Sequence, residues 1–336
     1  MLVLKRLFGI LVTGILAVGC GGAAARTPTA ARPAAIAHWT TLVHVSRPLD
    51  VAGPRRDGSL VLAAAGKLYR LAPASGRVTR LALAYQSPGG EEPYIALPAI
   101  GHRGCSYGGG TVYALRLANG HGVVAISPSG QTRMFATLSA RGLIDGIAFD
   151  EPGRFGYRLL VTVEHGATST VVAIDCHGHV KTITGHAPKI EGGITVAPST
   201  FGRFAGDLIA SDENTGRIYA IAPDGRSSLV ARSGLPHGGD TGVESEAFVP
   251  AHGRFTGFLA DRGTPGNRHP GDDVVLRASS AALFAAGARP GDLLDATEGG
   301  AKTVAVHCGP QKCTVRHVAD GPAIAHPEGH IAIVVR

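Results

Sequence analysis

GDLIASDENTGRIYAIAPDGRSSLVA (residues 206–231) carries the pattern that decides the fold of this chain. It contains an apolar strand, a turn, an alternating strand that ends at Ile221, a Gly-containing turn and a second alternating strand. Alternation of apolar and polar residues with a period of two, bounded by turn residues, is typical of antiparallel β-hairpins. The segment therefore predicts three consecutive strands joined by tight turns.

The hairpin at the end of this segment recurs along the chain. Its copies are KLYRLAPASGRVTRLA (67–82), GVVAISPSGQTRMFA (122–136), TVVAIDCHGHVKTIT (170–184) and RIYAIAPDGRSSLVA (217–231). Leu71, Ile126, Ile174 and Ile221 occupy equivalent positions in these copies and are 55, 48 and 47 residues apart. One four-stranded propeller blade takes about 40–50 residues. The spacing predicts an all-β fold, a β-propeller.

A second motif precedes the hairpins and supplies two more strands. In residues 146–166, 193–216 and 246–263 two apolar strands flank a Pro/Gly turn, and we expect each pair to form the two inner strands of one blade. The expected blades are 46–83, 92–137, 142–184, 190–232 and 241–320, with a sixth that begins at 321–335.

Closure of the ring is predicted from the N-terminal strand-like segment 38–45, which would complete the sixth blade. An open ring would leave strand edges exposed, so pairing of N- and C-terminal strands is expected. Six blades are predicted. A seventh stays open, because residues 291–308 resemble residues 206–223.

The composition of the chain agrees with this class of fold. The 336 residues include 48 Gly and 21 Pro, which excludes a long helical bundle, and 44% are hydrophobic, which is enough for a core. The formal charge of +7 comes mostly from scattered Arg. Without a basic stripe, no nucleic-acid partner is expected.

The N-terminus has the pattern of a bacterial lipoprotein signal. Lys5 and Arg6 precede the apolar run 7–18, and small residues then lead to Cys20. We expect a signal peptide over 1–19, a lipidated Cys20, a flexible Ala/Pro-rich tether over 20–37 and one propeller domain over 38–336. The protein would be lipid-anchored on the external face of the cell membrane, with the bilayer as its partner. A plain secretory signal or an uncleaved membrane anchor is the alternative.

Four further cysteines form an even set, as is common in exported proteins. Cys308 and Cys313 flank a Gly-Pro turn between short apolar strands, where facing hairpin positions come within disulfide range. A Cys308–Cys313 disulfide is therefore predicted. A Cys105–Cys176 disulfide follows by elimination.

Residues 206–225 together with GPAIAHPEGHIAIVV (321–335) resemble six-bladed propellers of the NHL-repeat and gluconolactonase (senescence marker protein) type. The resemblance implies metal-dependent lactonase chemistry, with Glu, Asn and Asp near the central axis holding a divalent ion. The Asn ligands of that family lie in Pro-Asn-Gly or Pro-Asn-Asp turns. This chain departs from the pattern, because Asn119, Asn214 and Asn267 are its only asparagines and none lies in such a turn.

Four carboxylates remain as candidate ligands of a divalent metal such as Ca²⁺. Asp145, Glu191, Glu244 and Glu246 precede the expected inner strands, so a propeller would gather them near one mouth of its channel. Capping of backbone N–H groups or pairing with Arg is the alternative role. Other polar motifs are assigned to turns: 176–179, 212–216 and 326–330, with the Gly run 108–110 assigned to a bend.

No catalytic signature accompanies these residues. A nucleophile elbow and a phosphate-binding Gly-rich loop are both missing from the sequence. The sequence therefore favours a binding or scaffold role, with an unidentified protein or small molecule bound at the propeller face. The alternative is a divalent-metal-dependent hydrolase of lactones or esters. A quinoprotein-type sugar dehydrogenase would need a basic, His-bearing cofactor pocket, which the sequence does not locate.

Overall fold

The computed structural model describes residues 35–87, 92–117 and 121–336. Cys20, the predicted signal peptide over 1–19 and most of the predicted tether lie outside these residues. The described chain is almost entirely β and forms the six four-stranded blades of a six-bladed β-propeller. Within it, no helix has the length and apolar character needed to cross a membrane.

Blades 1 to 4 are each built from four consecutive antiparallel strands, as the repeats predict. Blade 1 contains β3 (Pro48–Ala52), β4 (Leu60–Ala64), β5 (Lys67–Leu71) and β6 (Val78–Leu81). Blade 2 contains β7 (Ile95–Ala96), β8 (Val112–Arg116), β9 (Gly122–Ile126) and β10 (Thr132–Thr137). Blade 3 contains β11 (Leu143–Phe149), β12 (Leu159–His165), β13 (Thr168–Ile174) and β14 (Val180–Pro188). Blade 4 contains β15 (Ile194–Val196), β16 (Leu208–Asp212), β17 (Arg217–Ile221) and β18 (Ser227–Arg232).

Blades 5 and 6 exchange strands. Blade 5 contains β19 (Val243–Phe248), β22 (Leu293–Thr297), β23 (Thr303–Cys308) and β24 (Cys313–Asp320), with β1 (Ala37–His38) added in parallel at its outer edge. Blade 6 contains β25 (Pro327–Val335), β20 (Phe255–Asp261), β21 (Val274–Ser279) and β2 (Thr40–His44). The chain therefore leaves blade 5 after its first strand, builds the middle of blade 6, and returns through the short helix α1 (Ser280–Ala285).

The exchange corrects two sequence-based predictions. Residues 246–263 are not the inner pair of one blade, because β19 pairs with β22 while β20 pairs with β25 and β21. Residues 291–308 do not start a seventh blade, because they are the second and third strands of blade 5. The physical reason lies in blade 6, whose inner and outer strands come from the two ends of the chain and which needs two middle strands from elsewhere.

The ring closes where the N-terminal strands join the last two blades. β2 pairs with β21 in blade 6, the blade that also contains the C-terminal β25. The predicted closure is confirmed. β1 pairs with β24 in blade 5, so the N-terminal segment covers the outer edges of both blades.

The core lies between adjacent blades, where apolar faces pack against one another. Tyr113, Phe201 and Phe258 are among the largest side chains that are fully buried. The outer strands are partly exposed, and the first three residues of β18, for example, are all exposed. Truncating such an aromatic core residue to Ala typically costs about 3–5 kcal/mol, which shows how much of the stability rests on these interfaces.

Both predicted disulfides are present. Cys308 and Cys313 face each other in the β23–β24 hairpin. Cys105 lies in the connection between β7 and β8 of blade 2, and its bond to Cys176 ties that connection to the β13–β14 turn of blade 3. The turn assignment of residues 176–179 is confirmed.

The inner strands of the six blades are β3, β7, β11, β15, β19 and β25, and neighbouring inner strands contact one another around the ring. Glutamates gather at the mouth where these strands begin, which we call the acidic mouth. An axial cavity of about 410 Å³ occupies the mouth where they end, which we call the apolar mouth.

Candidate functional site

The acidic mouth contains five glutamates and one histidine whose ligand atoms form overlapping groups. In each group the atoms lie within 4.8 Å of one another. The three groups are Glu298–His326–Glu328, Glu92–Glu244–Glu328 and Glu213–Glu244–Glu298. Blades 2, 4, 5 and 6 therefore contribute to one cluster, which we call the carboxylate cluster.

Two kinds of position bring these side chains together. Glu244 and Glu328 lie in the inner strands β19 and β25. Glu213 and Glu298 each follow the second strand of a blade, directly after β16 and β22. Because adjacent strands in a blade are antiparallel, the end of a second strand and the start of an inner strand meet at the same mouth.

A β-bulge in β19 places Glu244 in the cluster. The register between β19 and β22 shifts between Val243 and Ser245, so Glu244 is the extra residue without a partner in β22. Bulges of this kind redirect a side chain relative to its strand neighbours. Glu246, two residues further on, returns to regular pairing opposite Asp295.

Tyr94 lies at the centre of three glutamates. Its phenol oxygen is 2.9 Å from Glu92 Oε2, 2.8 Å from Glu244 Oε1 and 2.8 Å from Glu328 Oε2. One O–H donates to only one acceptor. The other two carboxylates must therefore carry a proton or be neutralised by a cation. Burial, followed by the negative charge of these glutamates, raises the pKa of Tyr94 well above its usual value, so the phenol stays protonated.

Two cationic side chains border the cluster on one side. Arg262 Nη1 lies 3.2 Å from Glu92 Oε1 and 3.0 Å from Glu328 Oε1. His326 Nε2 lies 2.8 Å from Glu298 Oε1 and 3.4 Å from Glu328 Oε1. Burial alone would lower the pKa of His326, but its hydrogen bonds to the two glutamates and their charges raise it to about 10. His326 is therefore an imidazolium at neutral pH.

The pKa values of four carboxyl groups in the cluster are raised, which favours their protonated form when no cation is bound. Burial, together with repulsion by Glu328, raises the pKa of Glu92 to about 8. Burial and repulsion by neighbouring acids raise the pKa of Glu213 to about 9. The pKa of Glu244 is raised well above its usual value by burial and by Glu298, and the pKa of Glu298 is raised by burial. A bound cation would reverse these shifts.

The donor set of Glu213, Glu244 and Glu298 fits a divalent cation. Calcium takes oxygen ligands at about 2.3–2.6 Å, so ligands on opposite sides of the ion lie about 5 Å apart. One oxygen from each of these three glutamates lies within 4.8 Å of the others, which is close enough for a single ion to contact all three. Among the described residues, neither Glu213 nor Glu244 forms an ion pair with a basic side chain. Carboxylate oxygens alone suit Ca²⁺, Mg²⁺ or Mn²⁺.

The four carboxylates predicted from the sequence do not meet around one point. Glu244 belongs to the carboxylate cluster. Glu191 lies at its border, 3.5 Å from Lys189 Nζ, where its charge helps to raise the pKa of Glu213. Asp145 is fully buried and accepts a hydrogen bond of 2.9 Å from Thr162 Oγ1. That these four residues bind a metal stays a prediction.

Glu246 lies apart from the carboxylate cluster, between blades 4 and 5. Ser211 Oγ is 2.6 Å from Glu246 Oε1 and 2.9 Å from Asp295 Oδ2. Both carboxyl groups are fully buried, and burial raises the pKa of Asp295 to about 8. A single Ser hydroxyl donates once, so at least one of the two acids is protonated.

Sequence reasoning missed five members of the cluster: Glu92, Glu213, Glu298, His326 and Glu328. The assignment of 326–330 to a hairpin turn is wrong, because Pro327–Val335 is the inner strand of blade 6. A signal for two of the five was present. GDLIASDE (206–213) aligns with GDLLDATE (291–298), which puts Glu213 and Glu298 at the same position of two neighbouring blades.

Comparison with known proteins adds structural likeness only. No protein-family model matches the sequence, and no curated protein sequence matches it. Virginiamycin B lyase from Staphylococcus aureus is 12% identical over 82% of this chain and 72% of that chain, with a TM-score of 0.46. Regucalcin from Agrobacterium tumefaciens, a calcium-binding protein, is 12% identical over 88% and 82%, with a TM-score of 0.47. A protein described as a putative gluconolactonase is 13% identical over 72% and 91%, with a TM-score of 0.41. Values this low do not bear on function.

Proposed function

We propose that the acidic mouth binds a divalent cation and that the protein is a metal-dependent hydrolase of lactones or esters. The observation that carries this proposal is the group Glu213, Glu244 and Glu298, whose oxygens lie within 4.8 Å of one another without an Arg or Lys between them. Three buried carboxyl groups at this distance repel one another when ionised, and a divalent cation is what removes that repulsion.

The side chains around this group have distinct roles in the proposal. A divalent cation supplies Lewis-acid polarisation of a carbonyl oxygen and an activated water. Arg262 and His326 fix Glu328 and Glu298 by ion pairs and offset part of the negative charge. Glu92 is partly exposed, and its pKa of about 8 suits the exchange of a proton with substrate near neutral pH.

The test compares two buried glutamates of the same strand. Adding millimolar Ca²⁺, Mg²⁺ or Mn²⁺ is expected to raise the melting temperature of the wild-type protein, because the cation binds only the folded state. Glu244→Gln should abolish the increase. Glu246→Gln, which changes an equally buried acid outside the cluster, should preserve it.

Activity is measured on the same variants with a panel of lactones and 4-nitrophenyl esters. Hydrolysis that requires the cation and is lost in Glu244→Gln but retained in Glu246→Gln supports the enzyme. A melting curve indifferent to all of these cations and to Zn²⁺ would contradict both the cation site and the hydrolase, and would leave the binding or scaffold role. A cation-dependent melting temperature without hydrolysis would restrict the site to binding.

For the localisation of the protein, we propose that a lipid attached to Cys20 anchors it on the external face of the cell membrane. The support is the basic and apolar N-terminal pattern that ends at Cys20, and the two disulfides, which are typical of exported proteins. Cys20→Ala is expected to release the protein from the membrane fraction or to leave the precursor uncleaved. Unchanged processing and membrane retention of this variant would refute the proposal.

A further inference from the structure

A second, lateral cavity of about 530 Å³ lies beside the apolar mouth, between blades 1 and 2. Its walls are the turn 54–57 between β3 and β4 and most of the connection 97–111 between β7 and β8. It adjoins the axial cavity, because Pro54 and residues 97–100 line both. Connections as long as 97–111 are uncommon in compact domains unless they have a function.

Arg55 lines the lateral cavity with unsatisfied hydrogen-bond donors. Its Nε and Nη1 atoms are buried and have no hydrogen-bond partner in the part of the chain that the structure describes. A guanidinium is always charged, and burying it without a partner costs free energy. The acid in the same turn, Asp57, is half exposed and pairs instead with Arg70 at 3.4 Å. Arg55 therefore has donors available for an anionic ligand in the cavity.

The wall opposite Arg55 is fixed from several sides. The Cys105–Cys176 disulfide ties it to blade 3. The hydroxyl of Tyr107 donates to the Ile174 carbonyl at 2.7 Å. Gly110 has a φ of +75°, and a Cβ at this position would lie 3.8 Å from Arg55 Nη2, so the Gly run passes close to the guanidinium. A cavity held in this way is preformed, which lowers the entropy cost of binding.

The axial cavity offers a different surface. Its lining is predominantly aliphatic and includes Val51, Ile95, Ile147 and Ile331. Glu246 also borders it, and its carboxyl group accepts a hydrogen bond of 2.6 Å from Ser211 Oγ. Glu151 lines the axial cavity and His102 lines the lateral cavity. His102 Nδ1 lies 3.0 Å from Glu151 Oε2. Within the described residues, Arg55 and its exposed neighbour Arg56 are the arginines that line the lateral cavity.

We propose that the two cavities together bind an amphipathic oxyanion, with its apolar body in the axial cavity and its carboxylate or phosphate group on Arg55. The proposal is independent of the cation site, which occupies the opposite mouth of the channel. Carboxylates and phosphates share the hydrogen-bond acceptors that a guanidinium recognises. The volumes of the two cavities lie within the range of about 300–1,000 Å³ that is usual for small-molecule sites.

Calorimetric titration with four probes of equal chain length tests this proposal: octanoate, octyl phosphate, octylamine and octanol. Saturable binding of octanoate or octyl phosphate is expected, with octylamine and octanol weaker by about tenfold or more, because a charged hydrogen bond is lost or reversed. The tighter of the two anions identifies the head group. Arg55→Gln should weaken the anion by about tenfold. Arg226→Gln, an exposed Arg on the β17–β18 turn, should leave binding unchanged.

Failure of Arg55→Gln to fold is checked by its melting temperature without a probe. Because two guanidinium nitrogens of Arg55 are buried without a hydrogen-bond partner, we expect this variant to melt no lower than the wild type, and Arg55→Lys to bind the anion with intermediate affinity. The increase in melting temperature on adding a divalent cation should be the same in the wild type, Arg55→Gln and Arg55→Lys. Absence of saturable anion binding, equal binding of octanol, or an Arg55→Gln variant with wild-type affinity would overturn the proposal.

Discussion

The two mouths of the channel are built from the same six inner strands, yet their chemistry is opposite. Where the strands begin, glutamates from four blades crowd together without enough basic partners. Where they end, aliphatic side chains enclose a cavity. Tyr94 lies between the two, with its hydroxyl among the glutamates and its ring 6.2 Å from that of His330 in an edge-on contact.

The difference shows how one scaffold places two kinds of candidate binding surface, one for a cation and one for an apolar ligand, at opposite ends of its channel. The acidic mouth has buried carboxyl groups whose ionised form a cation would stabilise, and the apolar mouth has apolar surface that a ligand would cover. His330 belongs to the second region but is already held by Asp50, with Nδ1 3.1 Å from Asp50 Oδ2. At the acidic mouth the pKa values of Glu92 and Glu213 are raised to about 8 and about 9, which makes this mouth sensitive to pH.

The largest expected effect follows from this asymmetry. The pKa values are raised in the folded state from 4.5 to about 8 for Glu92, from 4.5 to about 9 for Glu213 and from 6.5 to about 10 for His326. A group whose pKa is raised on folding stabilises the protein below its unfolded pKa, and that contribution is lost as the pH rises to its folded pKa. Between pH 5 and pH 9, cation-free protein should therefore lose several kcal/mol, since each pKa unit corresponds to about 1.4 kcal/mol.

Urea denaturation in EDTA across this pH range measures the loss, and the same series in Ca²⁺ measures its recovery. Bound cation replaces protons, so the stabilisation by Ca²⁺ should grow as the pH rises. Glu213→Gln should flatten the EDTA series, whereas a variant of the apolar mouth such as Leu97→Ala should shift it without changing its slope. A free energy of unfolding that rises with pH in EDTA would contradict the assignment of raised carboxyl pKa values to the acidic mouth.

A smaller effect should be confined to the apolar mouth. Replacing Cys105 and Cys176 by Ser opens a loop of 71 residues and is expected to cost at most about 4 kcal/mol in the chain-entropy model. Because Cys105 lines the lateral cavity, octanoate affinity should fall in this variant while the Ca²⁺-dependent melting shift is retained. The Cys308→Ser, Cys313→Ser protein is the control, with a loop of 5 residues and a cost of about 2 kcal/mol. Equal effects of both variants on octanoate binding would remove the assigned role of Cys105.

Most of the fold was predictable because a blade is a local unit. Leu71, Ile126, Ile174 and Ile221 mark hairpins whose strands are neighbours in sequence, and each was assigned to the correct blade. The exchange between blades 5 and 6 was not predictable from these patterns. Two apolar strands joined by a short turn, as in 246–263, have the same alternation whether they pair with each other or with strands that lie 45 or more residues away.

The site was less predictable than the fold for a related reason. Its ligand atoms come from sequence positions as distant as Glu92 and Glu328, and only the ring geometry brings them together. Glu244 was found because it precedes an inner strand. Its neighbour Glu246 met the same criterion but faces another blade, since the bulge at Glu244 changes the direction of the strand. A bulge leaves no signature in the alternation of apolar and polar residues.

The strand exchange has a consequence for how the protein is made. β19 of blade 5 pairs with β22, which is synthesised only after β20 and β21 of blade 6. β20 in turn pairs with β25, which is synthesised after all the other strands. Blades 1 to 4 consist of consecutive strands and are able to form in order as the chain is synthesised. The last third of the molecule has no such order, because blade 5 is completed by β24 only after two strands of blade 6 have been made, and blade 6 is completed by β25. A chain that stops short of β25 therefore loses the inner strand of blade 6, and with it Glu328 of the acidic mouth and Ile331 of the apolar mouth.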